Sequence, residues 1–156
     1  LINLRILDIN SACGVGDLGI QGCTDLEELC ISANPNVTIL NHLIKLKKLD
    51  VSYGSWIGDD KISKLNLEEL NVSFNSKITT LNHMTKLRKL SINESSGTGD
   101  HGIHELNLEE LDVYNNPLIT TLNHMTKLRK LSISENSGVG ERGIQWDHGE
   151  SEFGGT

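Results

Sequence analysis

The run LEELNVSFNSKITTLNHMTKLRKLSINESSGTGDHGIHELN, Leu67–Asn107, decides how this chain folds. It returns 41 residues later, from Leu108 onward. Within it, Ile78–Ile92 (ITTLNHMTKLRKLSI) is letter for letter Ile119–Ile133. Repetition at a fixed period marks coils stacked on one another, each too small to bury its own apolar face. A catalytic constellation has no reason to recur in this way.

Working outward, the pattern L-x-x-L-x-[LIV] starts at Leu4, Leu26, Leu46, Leu67, Leu87, Leu108 and Leu128, with gaps of 22, 20, 21, 20, 21 and 20 residues. Its last two apolar residues are two apart, so both point to one face of a strand. Leu70/Val72, Leu90/Ile92 and Leu111/Val113 are examples. Stacked about 4.8 Å apart, seven such strands make a parallel slab roughly 30 Å long. Its inner face packs on the returning segment, with Ile78, Leu81 and Met84 as core residues.

Two coil types alternate. Short coils, from Leu26, Leu67 and Leu108, continue N-x-x-[VI]-x-x-L-x-x-[LM] after the strand, led by Asn34, Asn75 and Asn116. Long coils, from Leu4, Leu46, Leu87 and Leu128, carry G-[DE]-x-x-I, as in Gly58-Asp59 to Ile62 and Gly99-Asp100 to Ile103. In the long coils Ile62-x-x-Leu65 and Ile103-x-x-Leu106 are expected to make one helical turn, capped by a residue such as Asp100. Gly97/Gly99 and Gly138/Gly140 are expected to supply unusual backbone angles.

With these motifs the chain resembles leucine-rich-repeat proteins, from about Leu1 to Ile144. The resemblance implies an α/β solenoid: a right-handed superhelix with a curved parallel β-sheet on its concave side. Short 3₁₀ or extended segments, or single helical turns, lie on the convex side. About seven repeats fill residues 1–144, and 145–156 form a polar cap or tail. The G-[DE]-x-x-I coils look like the cysteine-containing class, with Ala12, Gly54, Ser95 and Asn136 where that class has its Cys. A buried asparagine ladder is also implied, at Asn34, Asn75, Asn116 and Asn136. Leu1-Ile2-Asn3 matches the tail of a coil (Glu105-Leu106-Asn107), which leaves the N-terminal end uncapped and open to end-to-end self-association.

The 156 residues suit one domain; 37% are hydrophobic and 4% aromatic, so the core is aliphatic. A net charge of −7 speaks against a nucleic-acid partner. No apolar run approaches the roughly 18 residues of a membrane span. Three cysteines without paired spacing favour a reducing, cytoplasmic compartment, the host's if the chain is a viral or effector product. The three Asn-x-Ser/Thr triplets, at Asn36, Asn71 and Asn93, are read as chance matches.

Charged pairs after each leading leucine alternate in sign: Glu27-Glu28, Lys47-Lys48, Glu68-Glu69, Arg88-Lys89, Glu109-Glu110, Arg129-Lys130. They read as a self-neutralising flank or as a stripe for a partner. The outward positions around the strands are mostly small and polar. Asp50, Tyr53, Trp56, Phe74, Glu94, Asp112, Tyr114 and Glu135 are the candidates for protein binding, since aromatics on an open face anchor interfaces. Each aromatic has an alternative reading as local packing.

His42, His83 and His124 recur at one coil position about 10 Å apart, too far to share an ion, and read as convex surface. His101, His104 and His148 show no ligand spacing. The Gly-x-Gly-Asp pieces lack the lysine and long helix of a phosphate cradle. One carboxylate per long coil (Asp17, Asp59, Asp100, Glu141) makes no calcium shell. No cofactor, metal or catalytic residue is expected. A non-enzymatic protein-interaction module, binding a protein ligand by its concave face and rim, is the first reading. The alternative is the substrate-recognition arm of an F-box-type ubiquitin-ligase adaptor or of a larger multidomain effector.

Overall fold

The computed structural model describes residues 3–11, 13–54, 56–134, 136–140 and 143–144. Leu1, Ile2, Ala12, Glu135, Glu141 and the segment 145–156 with His148 lie outside the described residues.

Each L-x-x-L-x-[LIV] motif places three residues in a strand. These are β1 (Ile6–Asp8), β2 (Glu28–Cys30), β3 (Lys48–Asp50), β4 (Glu69–Asn71), β5 (Lys89–Ser91), β6 (Glu110–Asp112) and β7 (Lys130–Ser132). They form one seven-stranded sheet in chain order, and every pairing is parallel. The central leucines lie opposite one another, as Leu29↔Leu49, Leu49↔Leu70 and Leu70↔Leu90. A parallel sheet with every connection passing behind it is a solenoid.

The core is a set of apolar columns, one residue per coil. Leu26, Leu46, Leu67, Leu87 and Leu108 lead the strands and are buried. Ile31, Val51, Val72, Ile92 and Val113 follow them, also buried. On the return, Val37/Ile78/Ile119, Leu40/Leu81/Leu122 and Leu43/Met84/Met125 fill the short coils. Such columns supply most of the stability, at about 25 cal/mol per Å² of apolar surface removed from water. Position in the stack matters as much as sequence: Ile92 is fully buried, whereas Ile133, the last letter of the identical run, is 41% exposed on the final strand's coil.

Three single-turn helices sit behind the sheet: α1 (Asp17–Ile20), α2 (Asp59–Ile62) and α3 (Asp100–Ile103). They lie one turn earlier than the sequence spacing suggested. Each begins at the Asp and ends at the Ile, and Ile62 and Ile103 then accept the N–H of Leu65 and Leu106 in a further turn. The capping expectation needs correcting too. Gly99 holds the N-cap place without a side-chain bond, and Asp100 opens the helix.

The glycine expectation also changes. Among the described glycines only Gly14 has a positive φ. Gly97 and Gly138 are required by closeness instead: a Cβ would stand 2.3 Å from the Ser76 carbonyl oxygen and 2.4 Å from that of Pro117. Left-handed backbone falls on Ser11, Ala33, Tyr53, Phe74, Glu94 and Asn115, each seven residues after a leading leucine, and also on Ser95. There the chain leaves the strand through a tight turn, in which Asn34 and Asn75 donate their N–H to the carbonyls of Ile31 and Val72. A turn with positive φ only at its third residue belongs to a class that glycine usually serves. Here ordinary side chains occupy it, at a cost of about 1–2 kcal/mol each.

Candidate functional site

Short strands with alternating side chains leave two outward rows on the sheet. They line a trough of about 530 Å³ that runs across all seven strands. The first row alternates in sign: Glu28, Lys48, Glu69, Lys89, Glu110 and Lys130. Lys48 lies 3.6 Å from Glu28 and 3.7 Å from Glu69; Lys89 lies 3.9 Å from Glu69 and 3.2 Å from Glu110. One residue outside this row, Glu27 bridges Arg5 (3.0 Å) and Lys47 (2.6 Å), and Glu109 bridges Arg88 (3.9 Å) and Arg129 (2.5 Å). Hydrogen bonding to Lys47 and its charge hold the Glu27 carboxyl below its ordinary value, and the same contact raises Lys47. Lys89 does the same for Glu110. These groups lie at the surface, the glutamates half-buried and most of the basic residues exposed, so each pair is worth little alone.

The second row contains Asp8, Cys30, Asp50, Asn71, Ser91, Asp112 and Ser132. Asp50 accepts from the Ser52 N–H (2.9 Å), the Ser52 hydroxyl (2.6 Å) and Asn71 Nδ2 (3.0 Å). Asp112 accepts from Asn93 Nδ2 (2.8 Å). Neighbouring coils are therefore tied across the open face by side chains as well as by the sheet.

The aromatic candidates collect at the strand exits. Tyr53 and Phe74, on adjacent coils, stack with ring centroids 4.3 Å apart and planes 13° from parallel. Both have left-handed backbone three residues past their strands; Tyr53 is 56% exposed and Phe74 half-buried. Tyr114 (49% exposed) stands one residue earlier in its coil and is not part of this stack. Trp56 (42% exposed) projects from the loop after β3. Glu94 is half-buried, and Glu135 lies outside the described residues.

The asparagines take their place inside the turns. Asn34 Nδ2 donates to the carbonyls of Ile9 (2.6 Å) and Val15 (3.2 Å); Asn75 to Gly54 (2.7 Å) and Ile57 (3.1 Å); Asn116 to Ile92 (2.7 Å) and Thr98 (3.1 Å). All three are buried. Asn136 is exposed. In two of the long coils the next residue bonds back within its own coil: the Cys13 thiol to the Ile9 carbonyl and the Ser137 hydroxyl to that of Ser134.

Three further columns of hydrogen bonds lie behind residues that the sequence marks only by their recurrence. The carboxylates of Asp17, Asp59 and Asp100 reach to the next coil and accept the backbone N–H and hydroxyl of Thr38, Thr79 and Thr120. His42, His83 and His124 place Nε2 on the carbonyls of Ile20, Ile62 and Ile103, at the ends of α1 to α3. Asn41 and Asn82 clamp the following coil, from Asp60 to Lys64 and from His101 to Glu105. The recurrence of Thr, His and Asn at fixed coil positions was the available signal. Among the described residues, no group of three or more His, Cys, Asp or Glu is placed to hold a metal ion. No helix there is long and apolar enough to cross a membrane.

No family model matches the chain, and no curated protein matches it. Among solved structures it is similar to the functional domain of InlJ from Listeria monocytogenes, described as including a cysteine ladder. The two share 19% identity over 90% of this chain and 32% of that one, with a TM-score of 0.44. This chain therefore spans about a third of that structure's length. Here Cys13, Cys23 and Cys30 are free thiols at different depths: exposed, buried and half-buried.

Proposed function

We propose that this chain is a non-catalytic docking scaffold of the leucine-rich-repeat type, binding a protein partner across the trough and its aromatic rim. One observation carries the reading: Tyr53 and Phe74 stack on each other three residues past β3 and β4, two strands that line the open trough, and Tyr53 is exposed there. Large rigid aromatics at the border of a flat polar surface are the usual anchors of protein interfaces. The polar chemistry of the interior is spent on structure. Among the described residues every buried side-chain nitrogen or oxygen has a hydrogen-bond partner.

The test is quantitative recovery of reproducible partners on the immobilised chain, against a Tyr53→Ala/Tyr114→Ala variant shown by circular dichroism to be folded. A loss of about tenfold is expected, about 1.4 kcal/mol. Unchanged recovery would remove the trough from consideration.

A further inference from the structure

The charge of the partner can be argued as well, resting on the docking reading above. In the first row of the trough three lysines and three glutamates alternate within ion-pair distance, so the row is neutral and its cations are engaged. The second row differs: it holds Asp8, Asp50 and Asp112 and no basic residue. The bonds to these carboxylates come from neutral donors, Asn10 for Asp8, Ser52 and Asn71 for Asp50, and Asn93 and the Tyr114 N–H for Asp112. Their negative charge is therefore oriented but not compensated. The Cys30 thiol between them feels it: burial first, then Asp50 and Asp8, push its pKa up.

Geometry adds a spacing. Asp50 and Asp112 sit on β3 and β6, three strand intervals or about 14 Å apart. An extended chain advances about 3.4 Å per residue and points every second side chain the same way, so residues four apart cover about 13.6 Å on one face. Tyr53 and Phe74 follow Asp50 and Asn71 by three residues each, so their stack stands at the exits of β3 and β4, two of the strands in that interval.

We propose that the trough takes an extended basic protein segment running across the strands. Its two arginine or lysine side chains, four residues apart, meet Asp50 and Asp112, and an apolar side chain between them rests on the Tyr53–Phe74 stack. Arginine suits best, because its planar fork matches a carboxylate edge and stacks on aromatic faces. An acidic segment would meet uncompensated carboxylates and lysines already engaged.

The probes are three synthetic peptides with a central tyrosine, alike except at two positions four residues apart, which carry Arg, Gln or Glu. Titration by fluorescence anisotropy at low salt is expected to rank Arg above Gln by about tenfold, with Glu not bound. Asp50→Asn/Asp112→Asn should abolish the preference for Arg. Removing the same charge on the convex side, with Asp60→Asn/Glu105→Gln, should leave it unchanged and so account for attraction to the net charge. Equal binding of the Arg and Gln peptides, failure of the Arg peptide to bind, or a preference that survives Asp50→Asn/Asp112→Asn overturns the proposal. If all three peptides bind alike but are lost with Tyr53→Ala, the docking trough stands and only its basic partner falls. If the Arg preference survives both the aspartate and the tyrosine variants, the trough falls with it.

Discussion

Asn75 has no exposed surface, and its amide makes four hydrogen bonds. Nδ2 donates to the carbonyls of Gly54 and Ile57, and Oδ1 accepts the N–H groups of Lys77 and Ile78. A leucine at this place would keep much of the volume and strand four backbone groups away from water. Each buried group left unpaired costs about 1–3 kcal/mol, with some recovered by relaxation. Asn75→Leu is therefore expected to lower unfolding free energy by about 3 kcal/mol in urea titration. A loss under about 1 kcal/mol would mean that the turn finds other partners. Asn34, Asn75 and Asn116 were legible because each stands eight residues after the leading leucine of a short coil. Asn136 occupies the same count in the last described coil and is exposed there. The left-handed residue before each of these turns was invisible for another reason. Ser, Ala, Tyr, Phe, Glu and Asn all hold it, so no residue type marks it.

At the scale of the element, each single-turn helix is too short to hold itself, since a helix of a few residues does not repay its nucleation. It is fixed instead by the acidic residue that opens it. Asp17 binds the N–H of Thr38 at 2.7 Å and of Ile39 at 2.9 Å, and the Thr38 hydroxyl at 2.8 Å. Partial burial pushes its pKa up, but the hydrogen bonds from Thr38 and Ile39 outweigh this and the net shift is downward. A carboxyl with a lowered folded pKa contributes stability that is complete above its unfolded value of about 3.9 and is lost as pH falls through the folded value. The stability gap between the native chain and Asp17→Asn is thus expected to be full near pH 6 and to close as pH falls to about 2. Urea melts across that range would show it, and a gap that stays constant would mean the ionised form is not what matters. The sequence displayed Gly-Asp as a local signal, and local reasoning turned it into a helix cap. Its true partner lies about one coil away, and only the stacking register reveals that Thr38, Thr79 and Thr120 stand opposite.

For the whole molecule, the alternation of sign does what no single pair could. Interior basic residues lie between two acidic ones: Lys48 between Glu28 and Glu69, Arg88 between Glu68 and Glu109, Lys89 between Glu69 and Glu110. A slip of one coil would set acid on acid, whereas a slip of two restores the match. The lattice therefore enforces the alternation of short and long coils without fixing absolute position. One interior substitution tests this. Glu69 lies 3.7 Å from Lys48 and 3.9 Å from Lys89, so Glu69→Lys would set three lysines side by side on adjacent strands. Urea titration at low salt is expected to show a loss of about 1 kcal/mol, and the loss should shrink as salt cuts the reach of the repulsion from about 10 Å at 0.1 M to about 3 Å at 1 M. A loss that is the same at both salt concentrations would mean that the side chain matters through packing, and the alternation of sign would then not be what holds the coils in order.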